Sequence, residues 1–292
     1  ASGTAITGPV QTTNNTINKR QVKLNFADVS KYYDGTATNT AIHPSVSSAD
    51  AQVLRRDNST LVSGTNLNGL MGITSRYGDG NTTPTFSANA NAGNRTVEYA
   101  GISNALGGNY SVANKQYGTG TITRRRIDPS GFKVYKADGT VANATKVYDG
   151  NNRHTLAPGA YLTSSPPAPG NTGIVAKDYG KVTFALKSGT QGKFSSDAAG
   201  MHTTSHVSEA QYVAYDIVAR TSDPTNNPLS NYTFGPSGGP TRNLEGVNNA
   251  NPAHVTAQGS ITPAKLQATT KTISKVYDGL AQHTDGNRNI KR

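Results

Sequence analysis

The chain has 292 residues, of which 34% are hydrophobic, and its formal net charge is +11. It contains no cysteine, which excludes a disulfide framework and a thiolate metal site. No uninterrupted run of about 20 apolar residues occurs, so the sequence predicts no membrane-spanning segment.

The composition favours a folded, turn-rich β protein. The hydrophobic fraction of 34% lies below the roughly 45–50% of ordinary globular domains. Strands that bury only one face need few apolar residues, so we expect an all-β fold. A chain of this length corresponds to about two domains of roughly 100–200 residues.

The tripeptide Tyr-Asp-Gly occurs three times, each time two residues after a lysine. The copies are Tyr33-Asp34-Gly35, Tyr148-Asp149-Gly150 and Tyr277-Asp278-Gly279. The tyrosines are separated by 115 residues (33 to 148) and by 129 residues (148 to 277). A word that returns at domain-sized intervals is the signature of a tandem array.

A lead strand precedes each copy of the word. Apolar residues alternate with polar ones at Val22, Leu24 and Phe26 and again at Phe132 and Val134. Alternation with period two predicts strands with one buried face. The third lead, residues 265–276, is rich in threonine and β-branched residues and is also expected to be a strand. Each lead ends at Asp-Gly, which predicts a turn.

The far end of each repeat also recurs, and it predicts two closing strands. One contains Asn109-Tyr110 in the first repeat and Asn231-Tyr232 in the second. The other contains Gly-Thr-Ile-Thr at 120–123 and Gly-Ser-Ile-Thr at 259–262. Residues 3–7 are similar to the last of these strands.

These boundaries divide the chain into a remnant of a preceding repeat, two complete repeats and the start of another. The corresponding ranges are 1–20, 21–128, 129–266 and 267–292. The middles of the repeats vary in sequence. Residues 47–54 and 208–215 are short helix candidates, and the second also has the alternation of a strand.

The chain combines the three Lys-x-Tyr-Asp-Gly words with the Asn-Tyr-(Ser/Thr) pair and with the ending Gly-Ser-Ile-Thr-Pro-Ala-Lys-Leu at 259–266. This combination resembles the YDG repeat domains of large bacterial surface adhesins. These are filamentous-haemagglutinin-like proteins, often exported by two-partner secretion. The resemblance implies an extracellular stalk or adhesive module of a Gram-negative bacterium, without catalytic residues. The first repeat departs from the pattern, since it ends in Ile-Thr-Arg-Arg-Arg-Ile, and both repeats are long enough to imply extra hairpins.

We therefore predict tandem, elongated β-sandwich modules of immunoglobulin-like type, with a β-grasp-like sheet as the alternative. The recurring Tyr and Asp are interpreted as structural residues rather than ligand contacts. In this interpretation the tyrosine packs at a domain corner with its hydroxyl bonded to backbone, while Asp-Gly forms the turn. Asn109 and Asn231 are interpreted as turn residues beside a core tyrosine. Ligand contacts are expected in the variable middles.

Two patterns suggest metal binding, and neither is convincing. His202 and His206 would share a helix face, but their segment is a poor helix former and lacks the glutamate of a zinc-protease motif. Gly78-Asp79-Gly80-Asn81 lacks the alternating oxygen ligands of a calcium loop and is expected to be a hairpin turn. No nucleophile motif stands out, and 17 acidic residues are spread thinly, so we expect no cofactor and no enzyme activity.

The positive charge indicates the class of partner. The clusters Lys19-Arg20, Arg55-Arg56, Arg124-Arg125-Arg126 and Lys291-Arg292 are not interleaved with aromatic residues. This disfavours nucleic acid and favours a host or bacterial surface or an anionic glycan. Neighbouring repeats, or other copies of the chain, are the remaining expected partners. The predicted function is an extracellular adhesin segment, and the alternative is a fibre built by β-strand addition. A grafted glycan hydrolase is disfavoured by the sparse acids.

Overall fold

The computed structural model describes residues 20–21, 24–41, 44–46, 73–102, 110–111, 113–164, 172–269, 274, 276–277 and 279. The helix candidate at 47–54, the strand-like residues 3–7, Asn109 and Asp278 lie outside these residues. The chain forms two compact units. The first comprises 1–127, 166–182 and 221–245, and the second comprises 128–165, 183–220 and 246–292.

The described residues contain twenty strands. In chain order they are β1 Arg20–Gln21, β2 Leu24–Phe26, β3 Val29–Tyr32, β4 Pro44–Val46, β5 Thr74–Tyr77, β6 Gly93–Ala100, β7 Tyr110–Ser111, β8 Lys115–Thr123, β9 Arg125–Ile127, β10 Phe132–Tyr135, β11 Val141–Ala142, β12 Ala144–Val147, β13 Arg153–His154, β14 Tyr161–Ser164, β15 Val182–Leu186, β16 Gly192–Ser195, β17 Tyr212–Thr221, β18 Tyr232–Phe234, β19 Arg242–Asn243 and β20 Ala253–Thr262. Short 3-10 helices lie at Pro129–Gly131, Ala176–Asp178, Pro228–Asn231 and Leu244–Gly246.

The strand content of 42%, against 7% helix, confirms the all-β prediction. The sheets curve into half-barrel or near-barrel forms. Tandem immunoglobulin-like sandwiches are not confirmed, and that topology stays a prediction, as does the β-grasp-like alternative. Among the described residues no helix has the length and apolarity needed to cross a membrane, which is consistent with the sequence analysis.

The main sheet of the first unit has the order β3-β8-β6-β5. The last strand of the repeat, β8, therefore lies inside the sheet. It pairs in parallel with β3 from Val29↔Gly120 to Tyr32↔Thr123, and it pairs antiparallel with β6. The buried hydrophobic side chains of this sheet are Val29, Tyr77, Val97, Tyr99 and Ile122. The same unit holds a three-stranded sheet of order β19-β18-β9, in which β9 and β18 are parallel.

The second unit holds a nine-stranded sheet. Its last strand, β20, lies between β12 and β17. β20 pairs in parallel with β12 from Ala144↔Gly259 to Val147↔Thr262 and antiparallel with β17. The second repeat thus reproduces the parallel pairing seen in the first. In both, the last strand pairs with the part of the lead directly before Tyr-Asp-Gly (β3 and β12), in the same register relative to the Gly-x-Ile-Thr word.

The burial of β10 explains the alternation of apolar and polar residues in the predicted lead of the second repeat. Phe132 and Val134 of β10 are buried, whereas Lys133 between them is exposed. Phe132 packs edge-on against Phe184 of β15, with ring centroids 4.9 Å apart. Burial of one face of the strand against the sheet therefore explains the period of two.

Two local predictions differ from the structure. The helix alternative for 208–215 is wrong, because β17 begins at Tyr212 and pairs with β16 and β20. Long-range pairing has decided the conformation there, and local propensity has not. Residues 265–269, which begin the third predicted lead strand, belong to no strand. The compact units also do not follow the repeat boundaries, since 166–182 and 221–245 belong to the first unit; those boundaries stay a prediction.

Candidate functional site

The Lys-x-Tyr-Asp-Gly word folds in the same way in both repeats. We call residues 31–35 the first clasp and residues 146–150 the second clasp. The Tyr33 amide donates to Thr123 O at 2.8 Å, and the Tyr148 amide donates to Thr262 O at 2.8 Å. Each clasp therefore continues the parallel pairing of its lead strand and fastens the start of a repeat to its end.

In the first clasp the lysine ties the turn together. Lys31 Nζ lies 2.9 Å from Asp34 Oδ1 and donates to Thr36 O at 2.8 Å and to Thr38 O at 3.0 Å. The ammonium also sits 5.4 Å from the centroid of the Tyr77 ring. Carbonyl oxygens, a carboxylate and an aromatic face together compensate for the partial burial of this charge.

The second clasp repeats the arrangement with different neighbours. Lys146 Nζ lies 2.6 Å from Asp149 Oδ1 and donates to Asn151 O at 2.7 Å. The centroid of the Phe194 ring is 5.7 Å away. Because Phe194 takes the place of Tyr77, the site under the lysine accepts an aromatic ring with or without a hydroxyl.

Aspartate and glycine form the turn, as expected. Asp34 Oδ1 accepts from the Thr36 amide at 2.8 Å, and Asp149 Oδ1 accepts from the Asn151 amide at 3.1 Å. The glycines that follow have φ of +82° and +85°, a left-handed conformation that disfavours other residues.

The lysines keep both carboxylates ionised. Desolvation raises the pKa of Asp34, but hydrogen bonds from Lys31 and Thr36 outweigh it, and the net pKa is lowered. The hydrogen bond from Lys146, followed by that from the Asn151 amide, lowers the pKa of Asp149. Both clasps are therefore charged pairs at neutral pH.

The glycine of Gly-x-Ile-Thr is needed for close approach of the two paired strands. A Cβ on Gly120 would lie 2.9 Å from Val29 O, and one on Gly259 would lie 2.8 Å from Ala144 O. The Cβ on Gly120 would also lie 2.8 Å from Val97 Cγ2, and the one on Gly259 would lie 2.6 Å from Val213 Cγ2. The glycine of the motif is therefore required in both repeats because a side chain at its position would clash with the paired strand.

Tyr33 of the first clasp is part of a buried polar network. Its side chain is 1% exposed, and its hydroxyl donates to Asp178 Oδ2 at 3.0 Å. Tyr232 donates to the same oxygen at 2.7 Å, and the two rings meet edge to face with centroids 5.6 Å apart. The predicted hydroxyl-to-backbone bond is thus replaced by a bond to a carboxylate. A buried carboxylate with two phenolic donors is a satisfied arrangement.

Burial and the neighbouring carboxylate keep both phenols neutral. Desolvation, followed by the Asp178 charge, raises the pKa of Tyr33 well above its usual range. Desolvation and the hydrogen bond to Asp178 raise the pKa of Tyr232. Both tyrosines therefore act as hydrogen-bond donors at every physiological pH.

Basic residues hold the same region together. Arg125 is buried, and its Nε donates to Thr172 O and Gly173 O, both at 2.9 Å. Arg124 Nε donates to Ser230 O at 2.8 Å. The Arg124–Arg126 run, counted as a charge cluster from the sequence, thus contributes two side chains to internal contacts of the first unit.

The remaining predicted residues occupy different environments. Asn231 is buried and accepts from the Ala92 amide at 2.7 Å. Tyr110 lies in β7, which pairs in parallel with β1. Tyr148 is 44% exposed, and Tyr277 is 91% exposed. Gly279 has a φ of +80°, like the glycines of the other two copies.

Sequence reasoning missed Asp178, which is central to the buried network. It lies 145 residues from Tyr33 in a segment without a recurring motif. No local pattern distinguishes a buried acid from a surface acid, so only the tertiary structure identifies it.

The metal-binding candidates form ordinary turns. His202 is exposed, with Nδ1 2.8 Å from Asp197 Oδ2. Asp79 accepts hydrogen bonds from Asn81 and Thr85 within the β5–β6 connection, as predicted for a turn. Within the described part of the chain, no group of three or more His, Cys, Asp or Glu side chains could hold a metal ion.

The second unit also has an open polar groove of about 760 Å³. Arg153, Lys193 and His254 line it, together with Asp216, whose Oδ1 lies 3.1 Å from His254 Nδ1. Its open form and mixed charge suit a flexible polar ligand better than a small enclosed substrate.

Comparison of the chain with protein-family models, with curated proteins and with solved structures finds no match in any of the three.

Proposed function

We propose that the chain is a non-catalytic, tension-carrying repeat segment of an extracellular bacterial surface adhesin. The tandem immunoglobulin-like architecture predicted from the sequence belongs to this proposal. The array would hold an adhesive region away from the cell surface, and its variable middles and basic surface would contact host or bacterial cells.

The observation that carries the proposal is the position of the strand that leaves each repeat. β8 lies between β3 and β6, and β20 lies between β12 and β17. Tension along the chain pulls such a strand lengthwise, so the hydrogen bonds on both of its sides are loaded together. A strand at a sheet edge, pulled sideways, would instead lose its bonds one after another.

The repetition of this arrangement supports a mechanical role over a ligand-binding role. Both clasps join the two ends of a repeat through a backbone hydrogen bond of 2.8 Å, and in both a lysine–aspartate pair, at 2.9 Å and 2.6 Å, holds the turn. Residues that recur in the same geometry in both repeats fasten strands.

Location is the part of the proposal that is most readily tested. Antibodies raised against the 292-residue chain should label intact cells of the bacterium that carries this sequence. Labelling that requires permeabilised cells would contradict an extracellular role.

The net charge of +11 supports an anionic glycan as partner. The groove with Arg153 and Lys193 offers one place for it. Binding to a sulfated polysaccharide should weaken steeply as salt rises, because exposed charges are screened within about 10 Å at 0.1 M salt. Salt-independent binding would point to a different type of recognition.

A self-assembling fibre is the second candidate. It is favoured by residues 263–269, which follow β20 directly but pair with no strand in the described part of the chain. Such a segment can add to a sheet of another copy. Light scattering over a hundredfold range of concentration should then show growing species, whereas a constant monomer mass would exclude the fibre.

A further inference from the structure

We infer that the second clasp, together with residues 263–266, is a docking surface for a following repeat of the same type. This inference rests on the repeat array of the proposed function, but it does not depend on cellular location or on adhesion.

The first clasp shows what such a surface looks like when it is occupied. Tyr33 is covered by Asp178 and Tyr232, which lie in the sequence of the next repeat and in the same compact unit as Tyr33. Lys177 Nζ donates to Gly35 O at 3.0 Å. Downstream of β8, the segment β9 pairs in parallel with β18, from Arg125↔Tyr232 to Ile127↔Phe234.

The second clasp has the same framework without these covering groups. Tyr148 is 44% exposed, whereas Tyr33 is 1% exposed. Leu266, which stands where the first repeat has Ile127, is 82% exposed, whereas Ile127 is fully buried. A Cβ placed on Gly35 would lie 3.0 Å from Lys177 Cδ, but one on Gly150 would meet nothing within 4 Å.

The backbone shows the same difference. Residues 263–266 correspond to 124–127 when Gly-Ser-Ile-Thr is aligned with Gly-Thr-Ile-Thr, and β9 begins at Arg125. Within the described residues, 263–266 pair with no strand. The second clasp and residues 263–266 thus combine an exposed phenol, an exposed apolar side chain and backbone that pairs with no described strand. The corresponding groups of the first repeat are buried or paired.

The groups that cover the first clasp indicate which partner would cover the second clasp. It is a repeat that supplies a buried acid, as Asp178 does, and an Asn-Tyr strand, as Asn231-Tyr232 does. The Tyr148 hydroxyl would donate to the acid, and residues 264–266 would pair with the strand. Ala264 stands where Arg125 holds two carbonyl groups, so this second interface would lack the guanidinium contacts of the first.

A second copy of the same chain is a poorer occupant. In that copy, Asp178 already accepts a hydrogen bond from its own Tyr33, and the Tyr232 ring already packs against that tyrosine. The partner is therefore a further repeat in the same array, and association of separate chains through this surface would require an existing contact to open.

An extended chain tests the inference. Residues 1–266 are followed by a second copy of residues 128–292, and the 292-residue chain serves as the reference. We expect hydrogen exchange at the amides of 264–266 to slow by at least about tenfold, because unpaired backbone would enter a ladder. Nitration by tetranitromethane is measured in a version whose appended Tyr148 is replaced by phenylalanine, so that only the first Tyr148 is counted. It should fall by a similar factor, while nitration of Tyr161, which is 42% exposed in β14, should not change.

A matched variant separates docking from a general effect of the added length. Asp178→Ala in the appended copy alone should restore nitration of Tyr148 to the level of the reference chain. Slow exchange at the appended Tyr148 amide, which bonds Thr262 O in the reference chain, reports that the appended repeat has folded. A folded appended repeat with unchanged exchange at 264–266 and unchanged Tyr148 nitration would overturn the inference.

A second measurement does not depend on folding of the appended repeat. A peptide of residues 226–236, which contains the Asn-Tyr strand, is added to the 292-residue chain at millimolar concentration. Slower exchange at 264–266, with no change at the Tyr148 amide, is the expected result. Equal exchange with and without the peptide would count against strand pairing at this surface. Failure of either test would leave the location experiment unaffected.

Discussion

At the residue scale, the tyrosine of the repeated word has two environments. Tyr33 donates to a buried carboxylate, whereas Tyr148 is partly exposed. A motif that is identical in sequence therefore differs in its contribution to stability. The sequence could predict that Tyr and Asp are structural, because they recur at fixed positions. It could not predict the carboxylate partner, because Asp178 is distant in the chain and carries no motif.

Replacing the two tyrosines by phenylalanine should separate these environments. Tyr33→Phe leaves Asp178 with one phenolic donor fewer, and we expect the free energy of unfolding to fall by about 1–2 kcal/mol. Tyr148→Phe, the matched control, should change it by less than about 0.5 kcal/mol. Urea denaturation of the full chain provides the measurement. Equal effects of the two variants would show that the buried network contributes nothing specific.

Alkaline pH provides a second test of the same network. The folded-state pKa values of Tyr33 and Tyr232 are raised, whereas unfolded tyrosine titrates near 10. Their contribution to stability is fully present below about pH 10, and it is lost as the pH rises above that value toward the folded pKa values. Urea midpoints between pH 8 and pH 11 should therefore fall above about pH 10. The Tyr33→Phe/Tyr232→Phe double variant should show a shallower decline, and a decline as steep as that of the unmodified chain would refute this assignment.

At the element scale, the closing strand defines each repeat. The Gly-x-Ile-Thr word places its glycine where the lead strand comes closest, and its isoleucine is buried in both copies, as Ile122 and Ile261. The alternation of apolar residues was sufficient to predict β2 and β10 as strands. The pairing of β3 with β8 and of β12 with β20 could not be predicted, because contacts between strands about a hundred residues apart leave no local signal.

A glycine substitution tests the close approach directly. In Gly259→Ala the new methyl group would lie 2.8 Å from Ala144 O and 2.6 Å from Val213. We expect the second unit to lose about 1–3 kcal/mol of stability through overpacking. Gly246→Ala is the control, since nothing lies within 4 Å of its Cβ position. Hydrogen exchange at β12 and β20 amides would detect the difference, and similar protection in both variants would argue against the packing constraint.

At the scale of the whole molecule, the fold class was predictable and the division into compact units was not. Sparse apolar residues, frequent turns and recurring strands indicated an all-β array. The units nevertheless combine segments of both sequence repeats, because 166–182 and 221–245 belong to the first unit. Such exchange of segments is a tertiary property. Residues 166–182 lie in a variable middle without a recurring motif, and the recurring Asn231-Tyr232 within 221–245 does not indicate that its strand pairs with β9 of the first repeat.

The central claim is that each repeat carries tension through a closing strand held on both sides. Pulling single molecules of the full chain by their two ends measures this most directly. The comparison is a variant with cysteines at two exposed sites, in a chain that otherwise contains no cysteine. Arg220 lies in β17 past its last pair with β20, and Ala250 lies just before β20. Pulling between those sites peels the ladder open one pair at a time. We expect a clearly higher unfolding force for the end-to-end direction. Equal or lower force along the chain axis would contradict it.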